Sequence, residues 1–258
     1  MWGAHAEKLR CPLCFASLAV RGRSLVCAQN HTFDIARQGY AGFADGGSRE
    51  YDGALWDARA IVAQRGFFDP VIEEIARIPG LSGFFVDAGC GDGSLTGRIA
   101  ALTGGTPFGA DLSREGVRRA AVSCRQGLWA VADLARLPAC TGAADALVNI
   151  LSPASYAEFR RVLRPGGVIV KAVPTGNHLR ELRELWSLPV SQSAGQAERI
   201  FMEEFPQARA VTAEHTVFAG DWLPALAAMT PLAWHKEAPI PERGMAVTMS
   251  ARVLWSVV

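Results

Sequence analysis

The sequence predicts an α/β chain: an open, mostly parallel sheet with an antiparallel edge strand, preceded by a small Cys/His metal-binding module. Three observations carry this expectation. From residue 84 short β-branched and aromatic runs alternate with amphipathic helical stretches, the rhythm of parallel strands joined by right-handed crossovers. The first of those runs leads into a glycine-rich turn, Gly89-Cys90-Gly91-Asp92-Gly93. Near the N-terminus Cys11, Cys14, Cys27 and His31 fall at metal-ligand spacing.

Composition sets the outer bounds. The chain has 258 residues, half of them apolar, with 26 basic against 25 acidic side chains and a formal net charge of +1. That supplies ample core material and excludes global disorder. Near-neutrality excludes a uniformly cationic nucleic-acid coat but leaves room for local basic patches. Residues 1–40 hold five basic side chains against two acids, and residues 158–184 hold six, Lys171 among them, against three. Both segments are candidates for phosphate attraction. The N-terminal stretch lacks the apolar core of a secretory signal, and no run of about 18 apolar residues offers a membrane span. With no export signal and three cysteines crowded into the first 27 residues, a reducing cytoplasm is the expected setting.

The elements follow in order. Residues 1–44 read as the zinc-binding module. Residues 45–80 read as a linker: Asp45-Gly46-Gly47-Ser48 as a polar, Gly-containing joint, then a helical stretch over 52–78 that Gly66 and Pro70 divide in two. Residues 81–258 form the sheet domain, with strands expected at 84–87, 108–111, 128–131, 146–150 and 168–173. The clearest helices are 114–124 and 154–163. Residues 208–218 alternate at period two, 222–229 is a short helix, and 246–258 is a β-rich tail suited to an antiparallel edge.

In the N-terminal module two cysteines separated by two residues form a hairpin that presents both thiolates to one tetrahedral ion. Cys27 and His31 complete a Cys3His set for zinc. A redox Cys-x-x-Cys is the rival, but it normally opens a helix after a strand. Four protein ligands leave no open coordination position, so this zinc is scaffold.

In the sheet domain Asp87 ends the first strand, and glycines 89, 91 and 93 let backbone approach a ligand closely. Asp111 closes the second strand, where a carboxylate can accept hydrogen bonds from two ribose hydroxyls. Asp133 follows the third. A dinucleotide is the competing ligand, but its fingerprint wants Gly-x-Gly-x-x-Gly. A ligand-free tight turn is the plainest alternative.

DAGCGDG (87–93), GADLS (109–113), VADLARLP (131–138) and RVLRPGG (161–167) together resemble the class I S-adenosylmethionine (SAM)-dependent methyltransferases. The resemblance implies that the loop of Gly89, Cys90, Gly91, Asp92 and Gly93 wraps the methionine end of the cofactor beside Asp87. It implies that Asp111 and Leu112 serve the ribose side, and Asp133 and Leu134 the adenine. The zinc block Cys11–Tyr40, with Pro174–Leu179 and Met229–Trp234, narrows the likeness to the bacterial 23S rRNA (guanine-N1)-methyltransferases, some of which confer macrolide resistance. What this implies is methyl transfer to N1 of one guanine in a hairpin of 23S rRNA, by a homodimer whose zinc modules help form the RNA groove. The chain departs from that family's usual pattern at Gly39–Gly42 and at Asn149–Pro153.

Candidates for the target-base pocket lie at the ends of the fourth and fifth strands: Asn149, Leu151, Ser152, Pro153 and His178. Asn149 is expected to contact the cofactor's methionine end or the base. His178 reads equally as a partner for the guanine edge or as a capping residue. Tyr40 and Trp56 offer stacking faces, though Trp56 reads first as core. Arg59 could hold phosphate, close over the cofactor, or sit solvated. Cys90 reads as packing, and with no Pro-Cys after the fourth strand no covalent intermediate is expected. Two other functions stay open: a small-molecule methyltransferase, and a non-catalytic RNA-binding or ribosome-assembly factor.

Overall fold

The computed structural model describes residues 1–45, 53–189, 195–233 and 239–258. Gly46, Gly47 and Ser48 of the expected joint, and Trp234, lie outside them. The chain opens with a 3₁₀ turn, Trp2–Lys8, then a small antiparallel sheet of β1 (Leu18–Arg21), β2 (Ser24–Cys27) and β3 (Thr32–Asp34). After β4 (Ala41–Gly42) come α1 (Gly53–Gln64) and α2 (Asp69–Ala76). The alternating portion is β5 (Phe84–Ala88), α3 (Ser94–Thr103), β6 (Thr106–Asp111), α4 (Arg114–Ser123), β7 (Leu128–Val131), β8 (Ala144–Ile150), α5 (Tyr156–Val162) and β9 (Leu163–Pro174). The chain ends with α6 (Arg180–Leu185), α7 (Gln196–Glu204), β10 (Arg209–Ala219), α8 (Leu223–Met229) and β11 (Met245–Val257).

The large sheet runs β10-β11-β9-β8-β5-β6-β7-β4. Strands from β9 to β4 pair in parallel, while β10 and β11 pair antiparallel at one edge. The strand order reverses at β5, which places the glycine turn after β5 at the crevice where open α/β sheets bind ligands. One face of the sheet buries Phe67 and Phe68 from the α1–α2 junction and Ile72 and Ile75 from α2 against Val148, Val170 and Met249. The other buries Phe159, Phe201 and Phe205 from the α5 and α7 region against Leu147, Ile169 and Leu254.

The N-terminal module is joined to this second core. Trp2, Leu9, Leu25 and Phe33 pack in the same cluster as Phe84 and Phe108. The Trp2 ring meets Phe108 edge-on at 6.5 Å. β4 adds a parallel strand to β7, with Ala41 opposite Ala130 and Gly42 opposite Val131. The Phe43 and Ala44 amides then donate to the Val131 carbonyl at 2.8 and 3.1 Å.

The helical stretch divides between Gly66 (φ +76°) and Pro70 as expected, and Pro70 sits in the first turn of α2, where its missing N–H costs nothing. Several elements differ from expectation. The expected 168–173 strand starts at Leu163 because the Gly166 amide donates to Val258 O at 2.7 Å and the Val258 amide to Gly167 O at 2.9 Å. The 3₁₀ turn and helices α6 and α7 were not expected. Among the described residues no helix is long and apolar enough to cross a membrane.

Candidate active site and metal centre

The metal-ligand expectation becomes geometry in the N-terminal module. Ligand atoms of Cys11, Cys14, Cys27 and His31 all lie within 4.8 Å of one another. Cys14 Sγ and Cys27 Sγ are 3.6 Å apart, and His31 Nδ1 lies 3.5 Å from Cys11 Sγ and 3.4 Å from Cys27 Sγ. A tetrahedral zinc with its usual bond lengths has edges of about 3.8 Å between sulfurs and about 3.5 Å between sulfur and nitrogen. The donor set therefore fits zinc in kind and in spacing. Burial raises the Cys27 thiol, but backbone hydrogen bonds of His31 and Gln29 outweigh it and hold the thiol down at about 7.

At the carboxyl end of the large sheet a cavity of about 410 Å³ lies over the β5 turn. Its walls include Gly89, Gly91, Asp111, Leu112, Asp133 and Leu134, all expected from the sequence. Gly89 and Gly91 adopt φ of +92° and +55°. A Cβ on Gly89 would overlap Ser152 Oγ and stand 2.6 Å from its Cβ; one on Gly91 would lie 2.9 Å from the Trp56 ring. Asp111 ties the loop to the next strand, accepting the Gly91 amide at 2.9 Å and the Ser113 amide at 2.8 Å. Asp133 is exposed at the rim and accepts the Ala135 amide at 2.9 Å.

Other expected residues stand behind this wall. Asp87 is 2% exposed and bonds the Thr96 hydroxyl through Oδ2, while its buried Oδ1 has no protein partner. Burial, reinforced by the Asp111 charge, outweighs Thr96 and Arg59 and pushes its carboxyl up to about 7. An unsatisfied, buried acid behind a glycine cradle fits a cationic ligand such as the amino and sulfonium groups of SAM. Asp92 accepts the Ser94 amide at 3.2 Å and hydroxyl at 2.7 Å, fixing the start of α3. Gly93 (φ +71°) packs on Ala120 and Trp129. Cys90 is buried in the cluster around Trp129, with its thiol raised by burial, the state of a packing residue.

Asn149 is buried and its carboxamide is spent inside the protein. Nδ2 donates to Ala88 O at 2.6 Å and Pro153 O at 3.0 Å, and Oδ1 accepts from Lys171 Nζ. Leu151, Ser152 and Pro153 line the cavity. His178 is not among the lining residues. Its Nδ1 accepts the Ser250 amide at 3.4 Å, and burial, with Arg183 nearby, holds the imidazole down at about 4. It is therefore neutral, with the proton on Nε2.

Sequence reasoning left two contributions unread, Trp56 as a cavity wall and Ser113 as a cap, whereas Arg59 was among the candidates to close over the cofactor. Trp56 is buried, as expected of core, yet it also walls the cavity, wedged between Gly91 and Gly116 with its indole N–H donating to Ser113 Oγ at 3.2 Å. Ser113 caps α4 by accepting the Gly116 amide at 3.2 Å. The serine before an amphipathic stretch was its available signal. Arg59 lines the cavity 5.9 Å from the Trp56 ring centroid.

Two expectations need correcting. Tyr40 is buried beside Cys90, Val117 and Trp129, so it presents no stacking face. The 158–184 segment is no phosphate patch: Arg160 pairs with Glu204, Arg161 with Glu158, Arg164 with Asp145 and Arg180 with Glu181. Arg183 is spent on the His178 and Gly176 carbonyls, and Lys171 is 4% exposed. Helix-end arginines find local acids, which a net count cannot see. In the N-terminal module Arg21, Arg23 and Arg37 are exposed, and among the described residues no carboxylate pairs with them.

The zinc geometry and the cavity have counterparts in known proteins. The family model for the RlmA N-terminal zinc ribbon matches residues 9–43, and a methyltransferase-domain model matches residues 85–167. The 23S rRNA (guanine(748)-N(1))-methyltransferase of Streptomyces fradiae is 32% identical over 243 residues, covering 89% of this chain and 86% of its own. YxjB of Bacillus subtilis (strain 168), provisionally named a 23S rRNA (guanine-N(1)-)-methyltransferase, is 39% identical over 189 residues, 68% of this chain and 67% of its own. A SAM-dependent methyltransferase from Aquifex aeolicus superposes with a TM-score of 0.51 at 11% identity, over 81% of this chain and 99% of that one, which shows the fold. Because the Streptomyces match covers most of the chain, and the zinc-ribbon and methyltransferase models match its two parts, this protein belongs to the 23S rRNA (guanine-N1)-methyltransferase family, zinc-ribbon enzymes with a class I SAM-dependent methyltransferase fold.

Proposed function

We propose that the chain methylates N1 of one guanine in a hairpin of 23S rRNA, using SAM. The observation that carries the reading is the union of a cavity suited to SAM with an N-terminal module whose exposed Arg21, Arg23 and Arg37 have no carboxylate partner among the described residues and can meet phosphate. Residues 1–44 serve as the RNA-recognition module, 45–80 as the connection, and 81–258 as the transfer domain.

Gly89 and Gly91 lie against the methionine end of the cofactor, with Asp87 as counter-ion behind them. Asp111 holds the ribose hydroxyls, and Leu112, Asp133 and Leu134 frame the adenine. When bound, the cofactor supplies an electrophilic methyl on a sulfonium. The protein's part is alignment, since in-line transfer needs nucleophile and methyl held at near-attack distance. A guanine stacked in a hairpin must be turned out to reach the cavity, and Leu151, Ser152 and Pro153 wall the space it would occupy. The base's N1 would bond to the methyl as the methyl–sulfur bond breaks, its proton would pass to solvent water, and the charge left on the ring as that proton departs would be shared with O6. His178 is neutral but lies outside the cavity lining, so its expected contact with the guanine edge is not part of this reading. The chain works in the cytoplasm, as a homodimer whose two zinc modules flank the RNA.

N1 methylation blocks Watson–Crick pairing. Primer extension on 23S rRNA from cells with and without the gene therefore gives a reverse-transcriptase stop at one guanine only where the gene is present. Identical profiles at every guanine would overturn the reading.

A further inference from the structure

Lys171 is the one charged side chain in the β9 run Val168–Val173, and it is buried. An ammonium removed from water costs several kcal/mol unless its hydrogen bonds are made, and a methionine there would pack at lower cost. The bonds it makes converge on one loop. Nζ donates to Asn149 Oδ1 and, at 3.0 Å, to Ser152 O. Asn149 carries the connection onward to Ala88 O, the last residue of β5 before the glycine turn, and to Pro153 O. Lys171, Asn149 and Ala88 thus join β9, β8 and β5 behind the cavity.

The loop so held is strained. Leu151 has φ +51°, a left-handed conformation that costs a non-glycine residue about 1–3 kcal/mol and persists only where neighbours over-determine it. Its amide donates to Ala172 O at 3.0 Å, and Ser152 packs against Gly89. Leu151 and Ser152 both wall the cavity.

We propose that Lys171 is a positioning residue for methyl transfer: its ammonium holds the Asn149 carboxamide and the left-handed Leu151–Ser152 turn against the cofactor loop, where the reacting base is received. The role rests on the guanine-methylation reading, but the brace itself can be tested without turnover. Among the described residues no charged group competes for the ammonium. Its cross-strand neighbours are Asn149 on β8 and Leu254 on β11. On the helices covering that face Arg160, Arg161, Glu158, Glu198 and Glu204 are paired, Glu198 with Arg252 and the rest as above, Arg199 lies by Glu203, and Tyr156 packs edge-on against Phe159, Phe201 and Phe205.

Burial lowers the Lys171 ammonium to about 8, so the brace is charged at neutral pH and loses its proton above that value. The experiment compares wild type with Lys171→Met, which removes the donor, and Lys171→Gln, which keeps a neutral one. Folding is checked by melting temperature and SAM binding by calorimetry. In Lys171→Met, kcat falls about 30-fold while KM for SAM stays within about threefold, the split expected of misplacement. Lys171→Gln recovers part of that loss. The wild-type to Lys171→Gln ratio of kcat shrinks as pH rises through about 8, since the substrate's own titration cancels in the ratio. By hydrogen exchange the Leu151 amide opens about tenfold faster in Lys171→Met while the β5 amides stay protected. A folded Lys171→Met enzyme with kcat within twofold of wild type, or with unchanged Leu151 exchange, overturns the proposal. A wild-type enzyme that methylates no guanine overturns the substrate reading instead, and the exchange result then decides the brace by itself.

Discussion

One carboxylate oxygen of Asp111, at the end of β6, accepts the Gly91 amide from the turn after β5 at 2.9 Å. The other oxygen accepts the Ser113 amide, so a single side chain fixes the cofactor loop and the start of α4 together. Asp111→Ala removes charge-assisted acceptors as well as the proposed ribose ligand. At about 1.5–3 kcal/mol for each bond to a charged group, SAM binding weakens about 100-fold or more by calorimetry. The melting temperature without SAM falls only modestly, because the core around Val86 and Phe108 is untouched.

As the proposed counter-ion, Asp87 should give cofactor binding a pH dependence. Its carboxyl is pushed up to about 7, chiefly by burial, so it is mostly protonated at pH 6 and mostly ionised at pH 8. A cationic ligand binds the ionised form better, so SAM affinity rises by up to about tenfold over that interval. Asp87→Asn flattens the slope. Equal slopes in wild type and Asp87→Asn would contradict this role.

His178 couples pH to stability with a definite sign. Burial, and secondarily Arg183, hold it down at about 4, below the ordinary 6.5. The unfolded chain therefore binds its proton first as pH falls. The stabilisation present above 6.5 is lost progressively as pH drops toward 4. The melting temperature declines across that window, and His178→Asn reduces the decline.

Zinc removal reaches beyond the N-terminal module. β4 extends the large sheet beside β7, and Val131 O receives two amides from this segment just before Asp133. A chelator should release about one zinc per chain, lower the melting temperature by about 10 °C or more, and weaken SAM binding. Cys27→Ser reproduces these effects. Metal loss that leaves SAM affinity unchanged would show that the module and the adenine side are independent.

What the sequence revealed was what short spacings encode. Gly89, Gly91, Gly93 and Asp111 are legible because a turn needing positive φ and an acid at the next strand end occupy a few residues each. The zinc ligands are legible for the same reason. Lys171 was not: in Val168–Val173 it reads as one more surface cation, and only the β8–β9 register, which sets it opposite Asn149, reveals its burial. Asn149 reads as a ligand for the same lack of register. The docking of Trp2 on Phe108 joins residues 106 apart in sequence, and β4 is two residues long, too short for any periodic signal.

The central claim, methyl transfer to a single ring nitrogen in 23S rRNA, is tested most directly with purified components. Unmodified 23S rRNA transcript is incubated with the protein and SAM, and reverse transcription is read across the whole molecule. The account predicts one new stop, at the position adjacent to one hairpin guanine, that requires SAM and is lost in Asp111→Ala. Full-length extension with no SAM-dependent stop, under conditions where calorimetry shows SAM bound, would contradict it.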